Sequence, residues 1–303
     1  MISLASGEYK NLVEDAFSAR YVPTGHLVYW QGGALKVMPF DPDELEASGP
    51  PVPLIESGIN RFHWAVSEEG LLVYGLLPKQ SLVWVNRRGE EHPVGAPIRP
   101  YRLARVSPDG SRLALSLLEL TDLWLYELTR GTMTRLTFHP APDLMPVWTP
   151  DGQKVVFSSS REGADDLFWK SADGTGPVEC LMTSPIPKWG MSWSSDAQTF
   201  VFEEDNPETG SDIGLLHIKD PRTTQPFIQA PFDQTNPVVS PDGRWIVYES
   251  NDSGRIEVYV ESFPKPGEKR QISVDGGTEP LWGPDGSDPR FQDLLRRMNL
   301  SRQ

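Results

Sequence analysis

Val106-Ser107-Pro108-Asp109-Gly110 opens the stretch that decides the fold, and three strand-forming segments follow it: the apolar run 113–118, then Asp122-Leu123-Trp124-Leu125-Tyr126-Glu127-Leu128, then residues 133–136. Pro108 presets φ, Asp109 offers an Asx-type bond and Gly110 permits a positive φ, so strands should end before this turn and begin after it. The stretch reads as one β-blade.

The same pattern recurs along the chain. Aligned on the turn glycine, copies fall at Gly25, Gly70, Gly110, Gly152, Ala197, Gly243 and Gly286, spaced by 40 to 46 residues. The fullest copies are Thr149-Pro150-Asp151-Gly152, Ser240-Pro241-Asp242-Gly243 and Gly283-Pro284-Asp285-Gly286, and Ala197 stands where the others carry glycine. After each of the first six turns come a β-rich second strand, as in 155–158 and 245–248, and a third, as in 167–169 and 258–260. A period in the low forties with four strands per unit is the signature of propeller blades, because each small sheet can bury its faces only against its neighbours. The expected fold is all-β: a seven-bladed propeller of four-stranded antiparallel blades over residues 1–286, with a six-bladed or open propeller as the alternative.

The two ends bear on closure. No second strand follows the seventh turn, and the first residues, with Ile2 to Leu4 and Lys10 to Glu14, read as outer strands lacking their inner two. The last blade is therefore expected to be incomplete and shared between the termini, with residues 278–282 as its inner strand. Such sharing avoids a long exposed edge. Met1 would then stand in mid-blade, which also fits a chain that is a fragment of a longer protein. Residues 287–303 form a separate tail. Asp288 can cap a helix, Pro289 suits its first position, and Phe291, Leu294, Leu295 and Met298 lie at i, i+3, i+4 and i+7, so a short amphipathic helix is expected.

Composition excludes several partners. With 42 acidic and 28 basic residues the formal charge is −14, which opposes binding to nucleic acid and to anionic lipid. No run approaches the roughly 20 apolar residues of a membrane helix, and no basic-then-apolar leader opens the sequence, so no membrane insertion is expected of this chain. The single cysteine, Cys180, forbids an intrachain disulfide and reads as a small strand hydrophobe.

The repeated Ser-Pro-Asp-Gly, the third strand Asp122-Leu123-Trp124-Leu125-Tyr126 and the closing Arg135-Leu136-Thr137 resemble the TolB-like, WD-repeat-like propellers of bacteria. Gly25-His26-Leu27-Val28-Tyr29, Val37-Met38-Pro39-Phe40-Asp41, Leu82-Val83-Trp84-Val85-Asn86-Arg87 and Gly276-Gly277-Thr278-Glu279-Pro280 resemble in particular the propellers C-terminal to bacterial serine/threonine protein kinases. The resemblance implies a sensor or interaction module and leans toward an extracytoplasmic position. It carries no phosphoryl transfer, since neither a Gly-rich phosphate loop nor a His-Arg-Asp loop is present.

Propellers also precede the catalytic domain of prolyl-oligopeptidase-like hydrolases. The nearest approach to a nucleophile elbow is Gly190-Met191-Ser192-Trp193-Ser194, which lacks the fifth-position glycine and precedes a blade turn instead of a helix. The repeats leave no room for a catalytic domain. His26, His63, His92, His139 and His217 are dispersed without metal-ligand spacing, and the acidic segment at Glu203-Glu204-Asp205-Asn206 reads as a solvated loop. Asp122, Asp166, Asp212 and Glu257 recur at the start of third strands, where a repeated structural bond to turn backbone is expected. No catalytic residue, metal or cofactor is assigned.

Function is expected in the central channel, lined by inner strands. One residue before the turn, Tyr21, Val66, Val106, Trp148, Trp193, Val239 and Trp282 should pack between blades. On the opposite face, Arg20, His63, Arg105, Asn236 and Glu279 are the polar channel candidates, able to bind a small anion or a peptide end. The reading is a non-enzymatic scaffold that binds a protein or peptide partner, or senses a ligand in the channel. The alternative is the substrate-gating propeller of a hydrolase lacking its catalytic domain.

Overall fold

The turn chemistry is realised six times. In a computed structural model, which describes residues 9–283 apart from 15, 57, 87, 119–120 and 220, the turns close alike. Gly25, Gly70, Gly110, Gly152, Ala197 and Gly243 donate their amides to the carbonyl three residues earlier at 2.8–3.0 Å. All six have positive φ, from 58° at Ala197 to 85° at Gly70. In four copies the Ser or Thr hydroxyl donates to the aspartate two residues on, at 2.6–2.7 Å: Ser107 to Asp109, Thr149 to Asp151, Ser194 to Asp196 and Ser240 to Asp242. These hydroxyl bonds, with the amides of Gln153 and Gln198, hold the Asp151 and Asp196 carboxyls below the usual carboxylate range. The seventh turn lies outside the described residues, as do the expected tail helix and the segment from Ile2 to Leu4.

Strands flank each turn. The first sheet contains β1 (Phe17–Val22), β2 (His26–Gln31), β3 (Ala34–Asp41), β4 (Glu46–Ala47) and β5 (Val52–Ile55), with both β4 and β5 paired to β3. The second repeat divides into two two-stranded sheets, β6 (Ile59–Val66) with β7 (Leu72–Leu76) and β8 (Val83–Val85) with β9 (Glu91–Pro93). The next four repeats are regular four-stranded antiparallel meanders. They comprise β10 (Tyr101–Val106) to β11 (Arg112–Leu117), β12 (Leu123–Glu127) and β13 (Thr132–Arg135), then β14 (Asp143–Trp148), β15 (Lys154–Ser159), β16 (Asp166–Ser171) and β17 (Glu179–Met182). After them come β18 (Lys188–Trp193), β19 (Thr199–Asn206), β20 (Gly210–His217) and β21 (Thr223–Ile228), and finally β22 (Gln234–Val239), β23 (Trp245–Ser250), β24 (Glu257–Ser262) and β25 (Lys269–Gln271).

Burial is graded across each regular sheet. The second strands β11, β15 and β23 bury every residue but their first, as near-continuous apolar runs require when both faces are covered. The outermost strands β13, β21 and β25 are mostly exposed and carry Thr, Arg, Lys, Gln and Pro226, which discourages edge pairing. Glycines make room where rings fill the space between strands: a Cβ at Gly214 would stand 2.3 Å from the Phe202 ring.

Three expectations are corrected. The first two repeats are not four-stranded blades: the first sheet has five strands and the second repeat is split. That repeat's turn, Ser67-Glu68-Glu69-Gly70, lacks the Pro-Asp pair, and its β7 and β8 leave large apolar residues exposed instead of burying them. Residues 278–282 are described and belong to no strand. The segment from Glu203 to Asn206 is no solvated loop but the second half of β19, with Glu203 buried.

The chain divides into two compact units, one of Met1–Ala104 and Ser111–Leu144, the other of Arg105–Gly110 and Met145–Gln303. In the first, one core gathers Val22, Val28, Trp30 and Leu35 with Trp64, Val66 and Leu72, and another gathers Tyr101, Leu113, Leu115, Leu117 and Tyr126. In the second, cores form around Phe200, Phe202 and Leu167, and around Val201, Ile213, Ile246 and Tyr248.

Ala197 is the one described turn copy in which a side chain must tolerate the left-handed region. Ala197→Gly should therefore raise stability by roughly 0.5–1 kcal/mol, the relieved backbone strain less the larger unfolded-state entropy of glycine. Gly152→Ala should lower it by a similar amount. Urea midpoints measure both, and an Ala197→Gly midpoint at or below the parent's would contradict this account of the turn.

Candidate functional site: the inner-strand row

Four residues before the turn position, several inner strands depart from regular β geometry. Ser18, Met145, Asn236 and Glu279 all have positive φ, between 52° and 54°. Register shifts fall at the same place in β1, β6, β18 and β22. The feature is a recurrent β-bulge, which leaves one backbone N–H without a partner in its own ladder. His63 lies at this position in β6, with Gly75 opposite: a Cβ there would approach the His63 Cβ to 3.1 Å.

In the second unit three of these N–H groups are taken by a side chain from the preceding blade. Gly190 N donates to Ser158 Oγ at 3.4 Å, Asn236 N to Glu203 Oε1, and Glu279 N to Glu249 Oε1. Ser158, Glu203 and Glu249 hold the same place, fifth in the core of β15, β19 and β23. Glu249 Oε1 also accepts from Asn236 Nδ2 at 2.9 Å, so Asn236 bridges two carboxylates. Burial pushes the Glu203 carboxyl up from 4.5 to about 7, with Glu249 and Asp205 adding to the rise and the Asn236 amide opposing it.

Further bonds tie neighbouring inner strands. Trp148 Nε1 donates to Arg105 O at 2.9 Å and Trp282 Nε1 to Val238 O at 2.7 Å, a repeated offset. Residues 278–282 thus keep the bulge and the tryptophan bond of an inner strand without a ladder. Ser192 Oγ donates to Pro237 O at 3.0 Å and accepts from Val239 N at 3.3 Å. That hydroxyl closes a gap between β18 and β22. Among the pre-turn residues, Trp148 and Val239 are buried, whereas Tyr21 and Val106 are exposed.

The five polar candidates divide between the units. Arg20 and His63 are exposed on β1 and β6 in the first. In the second, Asn236 and Glu279 share Glu249, and the Glu279 charge supports the Arg105 guanidinium, whose pKa burial lowers. Sequence reasoning missed Glu203 and Glu249, although a glutamate ending the apolar runs Phe200-Val201-Phe202 and Ile246-Val247-Tyr248 was a visible signal.

The repeated third-strand acids have the structural task expected of them in two of four cases. Asp166 accepts from Ser184 N at 2.8 Å and Glu257 from Gly276 N at 3.0 Å. Asp122 and Asp212 differ: Asp122 pairs with Arg135, and Asp212 accepts from the side chains of Thr209, Asn206 and Gln229. Cys180 lies in β17, and burial raises its thiol pKa. Among the described residues no three His, Cys, Asp or Glu side chains group as metal ligands.

The chain matches no family profile. It is 25% identical over 188 residues to the uncharacterized peptidase YuxL of Bacillus subtilis, covering 48% of this chain and 28% of that protein. It is 25% identical over 118 residues to the Tol-Pal system protein TolB of Helicobacter pylori, covering 38% of this chain and 28% of TolB. The solved structure of a putative TolB from Agrobacterium tumefaciens aligns with a TM-score of 0.60 at 20% identity, over 67% of this chain and 73% of that one. The chain spans less than a third of these curated relatives. Its fold is the TolB-like β-propeller.

Glu203 makes stability depend on pH. The folded state holds its proton to about pH 7, whereas the unfolded chain releases it near 4.5, so stability is greatest below 4.5 and falls as pH rises to 7. Glu203→Gln keeps an acceptor for Asn236 N and removes this loss. The variant should gain on the order of 2 kcal/mol over the parent at pH 8 and little at pH 4.5. A stability difference that stays constant across this range in paired urea titrations would show that Glu203 ionises normally.

Proposed function

We propose that this chain is a non-enzymatic β-propeller scaffold that engages a protein or peptide partner, or senses a ligand, in the manner of TolB-like propellers and of the sensor portions of kinase-linked ones. The observation that carries the reading is the second repeat: Val73 and Leu76 of β7 and Val85 of β8 are 58–72% exposed, and Trp84 is 42% exposed. Apolar surface left open over neighbouring strands marks protein contact more often than catalysis. Arg20 and His63, exposed in the same unit, add polar groups for a peptide end. The nearest nucleophile motif supports the same reading, because Ser192 is engaged on both sides by backbone. An extracytoplasmic position belongs to this proposal; no helix among the described residues is long and apolar enough to cross a membrane.

A second reading, a substrate-gating propeller of a peptidase, rests on the 25% identity with YuxL. The two differ in what the propeller touches: a partner's surface in the first, a peptide on its way to a catalytic domain in the second.

Affinity capture with the chain, with a Leu76→Asp/Val85→Asp variant and with an unrelated propeller separates the outcomes. A partner retained by the parent should be reduced at least about tenfold in the variant, with the unfolding midpoint unchanged. Equal recovery on all three would refute the interaction reading. For ligand binding at the inner strands of the second unit, Arg105→Ala should abolish binding of an identified ligand without unfolding the chain, and unchanged affinity would remove those strands from consideration.

A further inference from the structure

The first unit contains a cavity of about 360 Å³ with Phe17, Trp30, Phe138, Asp122, Arg135 and His139 among its walls. This volume lies within the range of small-molecule sites. The residues come from two repeats: Phe17 and Trp30 from β1 and β2, Asp122 from just before β12, Arg135 from the end of β13, and Phe138 and His139 from the segment that follows it.

Arg135 is the polar centre. Its Nη2 donates to Asp122 Oδ2 at 2.6 Å, its Nε to Thr137 O at 2.9 Å, and its guanidinium carbon lies 4.7 Å from the centroid of the Phe138 ring. Three contacts fix the plane of the guanidinium. Two of its five N–H groups are used by these bonds, and the side chain is 39% exposed whereas that of Asp122 is 6% exposed. The fork therefore runs from a buried carboxylate outward to the cavity. Such pre-organisation lowers the ordering cost of binding a planar anion.

His139 adds a second donor. Its Nδ1 accepts from Ala141 N at 3.1 Å, which places the proton of the neutral ring on Nε2. The apolar side is aromatic: Phe17 meets Trp30 edge to face with centroids 5.7 Å apart. Phe138 is 68% exposed and adds a further ring at the wall.

We propose that this cavity is a binding site for a carboxylate carried on a flat, ring-sized apolar body, with the Arg135 fork and the His139 Nε2–H taking the carboxylate and the Phe17, Trp30 and Phe138 rings taking the body. The inference goes beyond the scaffold reading and does not depend on it. The shared chemistry has two sources, a free aromatic acid or the C-terminal carboxylate of a peptide ending in an aromatic residue.

Calorimetric titration of the full chain with phenylacetate, indole-3-acetate and the tripeptide Gly-Gly-Phe, each beside its carboxamide, tests the proposal. At least one acid should bind saturably and at least about tenfold more tightly than its amide. Phe138→Ala, at an exposed position, should weaken that binding several-fold with the unfolding midpoint unchanged, and Arg135→Lys, which keeps the charge beside Asp122 but loses the fork, should weaken it at least about tenfold. Tighter binding of the tripeptide assigns the site to a chain terminus, and tighter binding of the free acids assigns it to a small molecule. Absence of saturable binding by all three acids, equal binding of acid and amide, or full affinity in both variants would overturn it.

Discussion

A backbone N–H that a bulge has removed from its ladder, in a place where water cannot reach it freely, must find another acceptor. In the second unit that requirement is met at Gly190, Asn236 and Glu279, each time by a side chain of the blade before. Leaving such a group unsatisfied costs about 1–3 kcal/mol, so the fifth position of β15, β19 and β23 is not free to be another apolar residue. Glutamates in the apolar runs of β19 and β23 are thereby explained. Their burial, the shared use of Asn236 by Glu203 and Glu249, and the upward shift at Glu203 all follow from placing acceptors where the bulges need them. The arrangement has an electrostatic cost of its own, since two carboxylates share a single asparagine, one through its backbone N–H and one through its side chain, and Glu203 relieves it by holding a proton.

The same logic governs the turns. A tight reversal needs a residue at positive φ, and a hydroxyl two residues before an aspartate keeps the loop closed while the carboxylate receives the amides beyond it. Repetition makes these acids structural. An isolated Asp151 or Glu257 with a depressed pKa would draw attention as a functional group, yet Asp151 serves the hydroxyl and amide of its own turn and Glu257 serves the Ser273 hydroxyl and the Gly276 amide beyond β25.

What was legible in the sequence followed from local chemistry. Pro-Asp-Gly at a constant spacing, and the apolar runs after it, located the four regular blades and six of the turns, because turn and strand preferences act over a few residues. The second repeat was harder to read: Ser67-Glu68-Glu69-Gly70 keeps the spacing, but the apolar residues after it are not matched by covering partners, and the expected four-stranded sheet gives way to two short ribbons. Residues 278–282 carry the right residues for an inner strand and even its bulge, but a strand needs a neighbour, and none pairs with them among the described residues. The inner-strand candidates came from strict alternation of side chains, a rule that the bulge suspends at His63, Asn236 and Glu279. Asn236 and Glu279 were found for their polarity, while their partners Glu203 and Glu249 sat unread one strand away. The cavity beside Arg135 had no signature at all, since it joins residues about one hundred positions apart.

The side chain that receives each bulge amide belongs to one blade and the amide to the next, which gives the repeats a polarity and makes them unequal as building units. Ser158 reaches Gly190, whereas Asn236 and Glu279 are met by the longer arms of Glu203 and Glu249. Removing the fifth blade would bring the short Ser158 to face the amide of Asn236, two bonds too far to hold it. Duplication or loss of a blade in such a chain must therefore preserve matched neighbours, and the propeller can lengthen or shorten in evolution only at seams where donor and acceptor still fit.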